Sequence, residues 1–224
     1  PAVFVNKNAP VTIIFSHGNA EDMHMFRRWV SVHLANHLKF NALFYEYTGY
    51  TCGENESPPS EDSFYADIEA AYQYLTQFLA IDPGSIVLYG RSLGSGPSCY
   101  LAEKEPSIGG LIIQSGFLSI LRVVLKFKFT FPGDKFPNTD RMERIEAPVL
   151  IIHGTKDEVI RFSDGVELFK KCKHPFEPLW VESAGHNDIE IFEPTMWMHI
   201  GAFLDHVRSG NSIMTAVDED EEEQ

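Results

Sequence analysis

Residues 86–97 read Ile-Val-Leu-Tyr-Gly-Arg-Ser-Leu-Gly-Ser-Gly-Pro, and three kinds of local sequence follow one another here. The first four residues are apolar and rich in β-branched or aromatic side chains, which predicts a buried strand. A G-x-S-x-G pentapeptide comes next at 90–94, and residues 97–104 are predicted to form a helix. One interpretation is an ordinary glycine-rich loop. The strand before it and the helix after it favour a sharp turn that exposes the hydroxyl of Ser92 above the sheet edge. Gly90 and Gly94 suit that turn, because a Cβ at either place would collide with the neighbouring strand or helix.

Strands and helices alternate along most of the chain. Short apolar runs predict strands at 11–15, 41–47, 110–114, 148–152 and 177–181 in addition to the one before the pentapeptide. Helices are predicted after Asp22, from Ser60 to about residue 80, at 97–104, at 163–171 and at 194–207. The strands are continuously apolar, as expected for a sheet covered on both sides. The sequence therefore predicts an α/β fold with a mostly parallel sheet and helices on both faces.

The chain of 224 residues has the length of one domain, which we place at 1–210. Residues 116–146 interrupt the strand–helix alternation and are predicted to form a short cap over an open site. Residues 211–224 form an acidic tail, ending in six consecutive acids and Gln224, that we expect to be disordered.

Composition excludes several classes of protein. The net charge of −14 argues against nucleic acid as a partner and against general attraction to anionic membranes. The three cysteines, Cys52, Cys99 and Cys172, lie far apart, which indicates a reducing compartment without a disulfide framework. No apolar run is long enough for a bilayer span, and no signal peptide is visible. Neither an H-E-x-x-H motif nor a cluster of acids suggests a metal, and we expect no cofactor.

A serine hydroxyl needs a base, a group that orients the base, and donors for the oxyanion. In folds with a G-x-S-x-G turn, the chain order is Ser, then Asp or Glu, then His. Asp157 follows the predicted strand at 148–152, with Glu158 as the alternative one position later. His186 follows the strand at 177–181 and stands in a turn. Among the nine histidines it stands out because it follows a glycine, follows a strand and completes the chain order.

Two backbone N–H groups are needed to hold an oxyanion. One is that of Leu93, the residue after the serine. The other should come from the loop 16–20, where Asn19 is the first choice and Ala20 the second. His17 in the same loop is expected to order the loop by hydrogen bonding rather than to transfer a proton.

Seven segments fit the pattern of one family. They are Phe15-Ser16-His17-Gly18-Asn19-Ala20, Tyr47-Thr48-Gly49-Tyr50, Tyr65-Ala66-Asp67-Ile68, Leu88-Tyr89-Gly90-Arg91-Ser92-Leu93-Gly94, His153-Gly154-Thr155-Lys156-Asp157-Glu158-Val159-Ile160, and Glu177-Pro178-Leu179-Trp180-Val181-Glu182 with Gly185-His186-Asn187-Asp188-Ile189-Glu190. Over roughly 11–207 the chain resembles the α/β-hydrolase-domain-17 group, which is similar to the broader Bem46-like hydrolases. The pentapeptide is common to the superfamily, whereas the last pair of segments is far more specific. Residues 125–137 and the acidic tail do not follow the family closely.

The resemblance implies an α/β-hydrolase fold and a serine hydrolase that removes long-chain acyl groups from protein cysteines. It matches Ser92 to the family nucleophile, Asp157 to its acid and His186 to its base. The expected partner is an acylated protein or a small ester substrate, and the expected location is the cytoplasm or the cytosolic face of membranes through a peripheral contact. Two alternatives remain: a small-ester or peptide hydrolase of the same fold, and a non-catalytic binding module that keeps the fold.

Four phenylalanines in the predicted cap allow three interpretations: they line a wall for an acyl chain, touch a membrane with Lys126 and Lys128 as anchors, or close the end of the core. They are Phe127, Phe129, Phe131 and Phe136.

Overall fold

A computed structural model describes residues 1–25, 27, 39–50, 58–125, 133–192 and 195–221, without the side chains of 124, 125 and 211–221. Seven strands form one sheet in the spatial order β1-β3-β2-β4-β5-β6-β7. They are β1 (Ala2–Val5), β2 (Thr12–Ser16), β3 (Asn41–Tyr45), β4 (Ile86–Arg91), β5 (Gly110–Gln114), β6 (Val149–Gly154) and β7 (Leu179–Val181). All neighbouring pairs are parallel except β1 with β3. The predicted fold class is confirmed, while the antiparallel edge strand β1 was not predicted.

Helices cover both faces of the sheet. They are α1 (Glu61–Gln73), α2 (Ser95–Lys104), α3 (Ile120–Leu125), α4 (Asn138–Met142), α5 (Phe162–Lys171), α6 (Ile189–Phe192) and α7 (Met196–Glu221). Side chains of β4 alternate between the two cores: Leu88 packs with residues of α1, α2, α4 and α5, whereas Tyr89 packs with residues of α7. Because both faces are covered, every residue of β2 to β6 is buried, which explains the continuous apolar runs in the sequence.

Local signals at the helix ends act as predicted. Ser60 caps α1 and forms a capping box with Ser63, in which each side chain accepts the other's backbone N–H. Asp82 precedes a short 3₁₀ turn at Pro83–Ser85 that leads into β4. The Oδ1 of Asp22 accepts a hydrogen bond of 2.7 Å from the N–H of Met25, as expected for the start of a helix. Most of the helix predicted after Asp22 lies outside the described residues.

The C-terminal helix differs from the prediction. It continues to Glu221, so the predicted end near residue 207 is too early, and part of the segment 211–224 expected to be disordered is helical. Backbone hydrogen bonds within a helix join residues only four positions apart, so a helix can extend beyond the core that anchors its first turns. Among the side chains that are described, Val207 is the last buried one of this helix.

Phe136 closes the core and does not line an open wall. Its ring makes edge contacts with Phe64, Tyr65 and Phe117, and only 5% of the residue is exposed. It also covers Gly96 of α2, where an added Cβ would lie 2.4 Å from the ring. Of the three interpretations, packing therefore holds for Phe136. Phe127, Phe129 and Phe131 lie outside the described residues, as do Lys126 and Lys128.

Candidate active site

Ser92 stands at the end of the central strand β4, where the chain turns into α2. Its φ of 51° lies in the left-handed region, which is strained for a residue with a side chain. The turn is so tight that glycine is required on both sides: an added Cβ at Gly90 would lie 2.6 Å from the carbonyl oxygen of Gly94, and one at Gly94 would lie 2.0 Å from that of Ser16. The predicted sharp turn is present, and the glycines are there for the predicted reason.

Three side chains from distant parts of the chain form one hydrogen-bonded line. The Nε2 of His186 lies 3.0 Å from the Oγ of Ser92, and its Nδ1 lies 2.8 Å from Oδ2 of Asp157. His186 is 7% exposed, and the Asp157 side chain is fully buried. The structure thus brings together the serine, acid and histidine that chain order predicted, in the order needed to pass a proton from the hydroxyl to the imidazole.

Asp157 rather than Glu158 reaches the histidine. The Oδ1 of Asp157 accepts hydrogen bonds of 2.9 and 2.8 Å from the N–H groups of Val159 and Ile160. Burial alone would raise the pKa of this carboxyl, but hydrogen bonds from His153 and His186 outweigh it, so the pKa lies well below its usual range. Asp157 is therefore ionised at neutral pH. Glu158 is exposed to solvent.

The loop that should supply an oxyanion donor lies beside the serine. An added Cβ at Gly18 would be 3.6 Å from the Cβ of Ser92. His17 makes the ordering contacts expected of it: Nδ1 lies 3.0 Å from the Gly18 carbonyl oxygen and Nε2 lies 2.9 Å from Oε1 of Glu46. Tyr50 donates to Oδ1 of Asn19 at 2.5 Å. The roles of the Asn19 and Leu93 N–H groups stay predictions, as does Ala20 as the second choice.

Arg91 links the two loops that flank Ser92, a role that the sequence did not reveal. One guanidinium nitrogen donates to Glu21, and Nη2 donates to Oδ1 of Asn187 at 3.1 Å. Glu21 in turn accepts a hydrogen bond of 2.6 Å from the N–H of Gly18. This bridge, which we call the Arg91 clamp, fixes the loop at 16–21 relative to the loop that carries His186. Its partners are 70 and 96 residues away, so no local pattern could have indicated it.

Replacing Arg91 by methionine is expected to damage both stability and turnover. The Glu21 side chain is 20% exposed and would lose its cation, which costs about 3 kcal/mol of unfolding free energy for a largely buried pair. Loosening the two loops should lower kcat/KM by about 100-fold, because small displacements of reacting groups are costly. Denaturant unfolding and steady-state kinetics measure the two effects.

Arg144→Met is the matched control for this variant. Arg144 pairs with Glu103 at 2.5 Å on the surface, where 56% of its side chain is exposed, so its loss should cost less than about 1 kcal/mol and leave kcat/KM unchanged. Equal behaviour of the two variants would contradict the clamp.

A second support reaches the serine from α4. The Oγ of Ser95 donates to the carbonyl oxygen of Ser92 at 2.7 Å, and the Nδ2 of Asn138 lies 3.2 Å from that Oγ and 3.0 Å from the carbonyl oxygen of Phe117. Asn138 and Ser95 are fully buried. The segment between β5 and β6 therefore stabilises the strained turn through the contact of Asn138 with Ser95. Asn138 carries no sequence signal, because its partner is 43 residues away.

A cavity of about 630 Å³ lies where β4, β5 and β6 begin, at the opposite ends of these strands from Ser92. It is lined by residues such as Pro83, Gly109 and Pro148. In the ranges that the structure describes, no three His, Cys, Asp or Glu side chains are grouped as metal ligands. Among the described helices, none combines the length and the apolar character needed to span a bilayer.

Comparisons with known proteins agree with this architecture. A family model described as "alpha/beta hydrolase fold" matches residues 11–144. Human alpha/beta hydrolase domain-containing protein 17B is 44% identical over 186 residues, which cover 83% of this chain and 63% of the relative. The Caenorhabditis elegans protein aho-3 is 39% identical over 209 residues, covering 90% of this chain and 58% of the relative. The chain thus spans less than two thirds of the length of these curated relatives.

A solved structure shares the fold at low sequence identity. TT1662 from Thermus thermophilus superimposes with a TM-score of 0.70 at 18% identity and covers 92% of both chains. The match to the family model, which spans more than half of the chain, is independent of this likeness. The chain therefore belongs to the alpha/beta hydrolase fold family and is similar to the domain-17 proteins.

Proposed function

We propose that this hydrolase cleaves acyl thioesters or esters through a covalent acyl-enzyme on Ser92, with S-acylated protein cysteines as its substrate class. The observation that carries the chemistry is the line from Ser92 through His186 to Asp157, with contacts of 3.0 and 2.8 Å. The resemblance to the domain-17 group supports the choice of long-chain thioesters.

The first half of the reaction forms the acyl-enzyme. His186 Nε2 takes the proton of the Ser92 hydroxyl as Oγ attacks the acyl carbonyl carbon, and the carbonyl oxygen becomes negative. The N–H groups of Asn19 and Leu93 hold this oxyanion. Asp157 keeps the imidazole oriented and stabilises its charged form. The carbon–sulfur bond then breaks, and the thiol leaves with the proton from His186.

The second half releases the acid. His186 takes a proton from water, whose oxygen attacks the Ser92 ester, and the collapse of the second tetrahedral intermediate returns the proton to Oγ. A carboxylic acid leaves, and Ser92 is restored.

A series of S-acyl thioesters of increasing chain length tests the substrate class, with Ser92→Ala as the blank. Each methylene buried by the enzyme contributes about 0.8 kcal/mol, so kcat/KM should rise about threefold to fourfold per added methylene until a groove is filled. A maximum at short chains would contradict protein deacylation and favour the small-ester or peptide hydrolase.

A fluorophosphonate probe separates the enzyme from a binding module that keeps only the fold. The probe should label wild-type protein at Ser92 within the turnover-competent pH range, because it reacts with activated serines. Protein that binds acyl chains but takes up no label would contradict the covalent mechanism.

A further inference from the structure

A second histidine contacts the acid of the proposed triad. His153 stands near the end of β6 and is fully buried. Its Nε2 lies 3.0 Å from the carbonyl oxygen of Ile160 and 3.3 Å from Oδ2 of Asp157. The steps proposed above do not use this side chain, although it touches the same carboxylate oxygen as His186.

The surroundings of the ring decide which nitrogen of His153 carries the proton. Within the described part of the chain, Nδ1 has no hydrogen-bond partner. Helix α5 packs on that side, and an added Cβ at Gly165 would lie only 2.6 Å from Nδ1. A proton on Nδ1 would therefore be a buried donor without an acceptor, which is costly. The proton belongs on Nε2, where the carbonyl oxygen of Ile160 lies at 3.0 Å and Oδ2 of Asp157 at 3.3 Å.

The carboxylate of Asp157 is thus held at both oxygens. Oδ1 receives the N–H groups of Val159 and Ile160, while Oδ2 is shared between His186 at 2.8 Å and His153 at 3.3 Å. The contact of His153 with Oδ2, at 3.3 Å, is longer than its 3.0 Å contact with the Ile160 carbonyl oxygen, so it is the weaker of the two. The loop at 157–160 is therefore tied to β6 by the same ring that touches the acid.

We propose that His153 is a positioning residue for this reaction: its Nε2–H fixes Oδ2 of Asp157 and withdraws part of the negative charge that His186 would otherwise face. This inference rests on the proposed function, since it assigns a partner to the acid of that site. The lowered pKa of Asp157 agrees with donors at both oxygens of the carboxylate.

Charged groups around the ring set the sign of the expected effect. Asp157 lies on one side, in contact with His186. On the side of α5 lies the buried carboxyl of Asp164, which is paired with Arg161 at 3.2 Å. Burial raises the pKa of Asp164, while Arg161 and His153 oppose the rise. Removing the His153 proton leaves more negative charge on Asp157, so His186 should hold its own proton to a higher pH.

The test compares His153→Leu with His153→Gln. Leucine removes the Nε2–H donor and replaces the ring with an apolar side chain of similar size. In glutamine, the amide nitrogen can reach the position of Nε2. NMR follows the titration midpoint of the His186 imidazole, and kinetics follow the acidic limb of kcat/KM against pH. With leucine, both should move to higher pH by about 0.5 to 1 unit, and kcat should fall about tenfold with KM unchanged. With glutamine, the titration midpoint and kcat should both return most of the way to their wild-type values.

His199→Leu serves as the control, because it removes a histidine contact of 2.8 Å to the carbonyl oxygen of Glu177, away from the site. Its titration and kinetics should match wild type. A leucine variant of His153 that is less stable but keeps the wild-type midpoint would mean that the ring only packs, and the proposal would be overturned. Failure of the proposed function is seen separately, as wild-type protein that turns over no thioester while the NMR titration still reports on His153.

Discussion

Replacing Ser92 by alanine is expected to remove thioester and ester hydrolysis while the protein stays folded. Without Oγ no acyl-enzyme can form, and the loss of a nucleophile held by a histidine and an acid lowers kcat by about 10⁴-fold or more. The fold should survive, because the turn depends on Gly90, Gly94 and the Ser95 hydrogen bond rather than on the Ser92 hydroxyl. Initial rates on a long-chain thioester and a thermal melt measure the two expectations.

A nearby buried serine provides the control. Ser98 lies on α2 and is fully buried, and its hydroxyl has no hydrogen-bond partner within the described residues. Removing such a hydroxyl is close to neutral, so Ser98→Ala should keep wild-type activity. Turnover by Ser92→Ala within about tenfold of the wild-type kcat would refute the nucleophile assignment, whatever the substrate, because residual catalysis without a nucleophile should be far weaker.

The second large effect is expected at Gly94, where alanine should destabilise the whole domain. An added Cβ would lie 2.0 Å from the carbonyl oxygen and 2.5 Å from the carbonyl carbon of Ser16. Both atoms belong to the backbone of β2, so the clash cannot be relieved by rotating a side chain. Either the strand β2 or the helix α2 must move. Gly94 has a φ of −61°, which alanine adopts readily, so the variant isolates the steric contact. We expect a loss of about 3 kcal/mol or more of unfolding free energy.

Urea denaturation measures this loss, and Gly210→Ala is the matched control. Gly210 lies in α7, where an added Cβ would meet nothing within 4 Å. Alanine there should be neutral or stabilising by up to about 1 kcal/mol, because it favours the helix. If the two variants unfold at the same urea concentration, the inference that the turn packs closely against β2 is wrong. Any folded Gly94→Ala protein should also lose activity, since the displaced backbone belongs to the loop that approaches Ser92.

Local sequence patterns were enough for the fold class and for the residues brought together at Ser92. Continuous apolar runs indicated buried strands, because a sheet covered on both faces exposes neither set of alternating side chains. The strand–glycine–serine–glycine–helix pattern indicated the strained turn, and chain order selected Asp157 and His186 from many candidates. The position of Glu158, one residue later, left a choice that only the structure decided: its side chain is exposed, whereas Asp157 contacts the imidazole.

Edges and ends of elements were less predictable. The short strand β1, Ala-Val-Phe-Val, is apolar but only four residues long, and it is placed at the sheet edge by antiparallel pairing with β3. The end predicted for α7 is too early, because a helix satisfies its backbone hydrogen bonds locally and needs no change in sequence pattern to continue. Phe136 lies in an aromatic stretch that suggested a wall, but its contacts are with the core.

By itself, then, the sequence determined the type of sheet, the strained turn and the identities of the three residues brought together at Ser92, since each depends on neighbours in the chain or on their order. Tertiary structure alone decided what holds those residues in place. Arg91 bridges to Glu21 and Asn187, Asn138 supports Ser95, and His153 contacts Asp157. The first two sets of contacts join residues 43 to 96 positions apart. His153 and Asp157 are neighbours in sequence, but their contact depends on a turn beyond β6 that no periodicity describes.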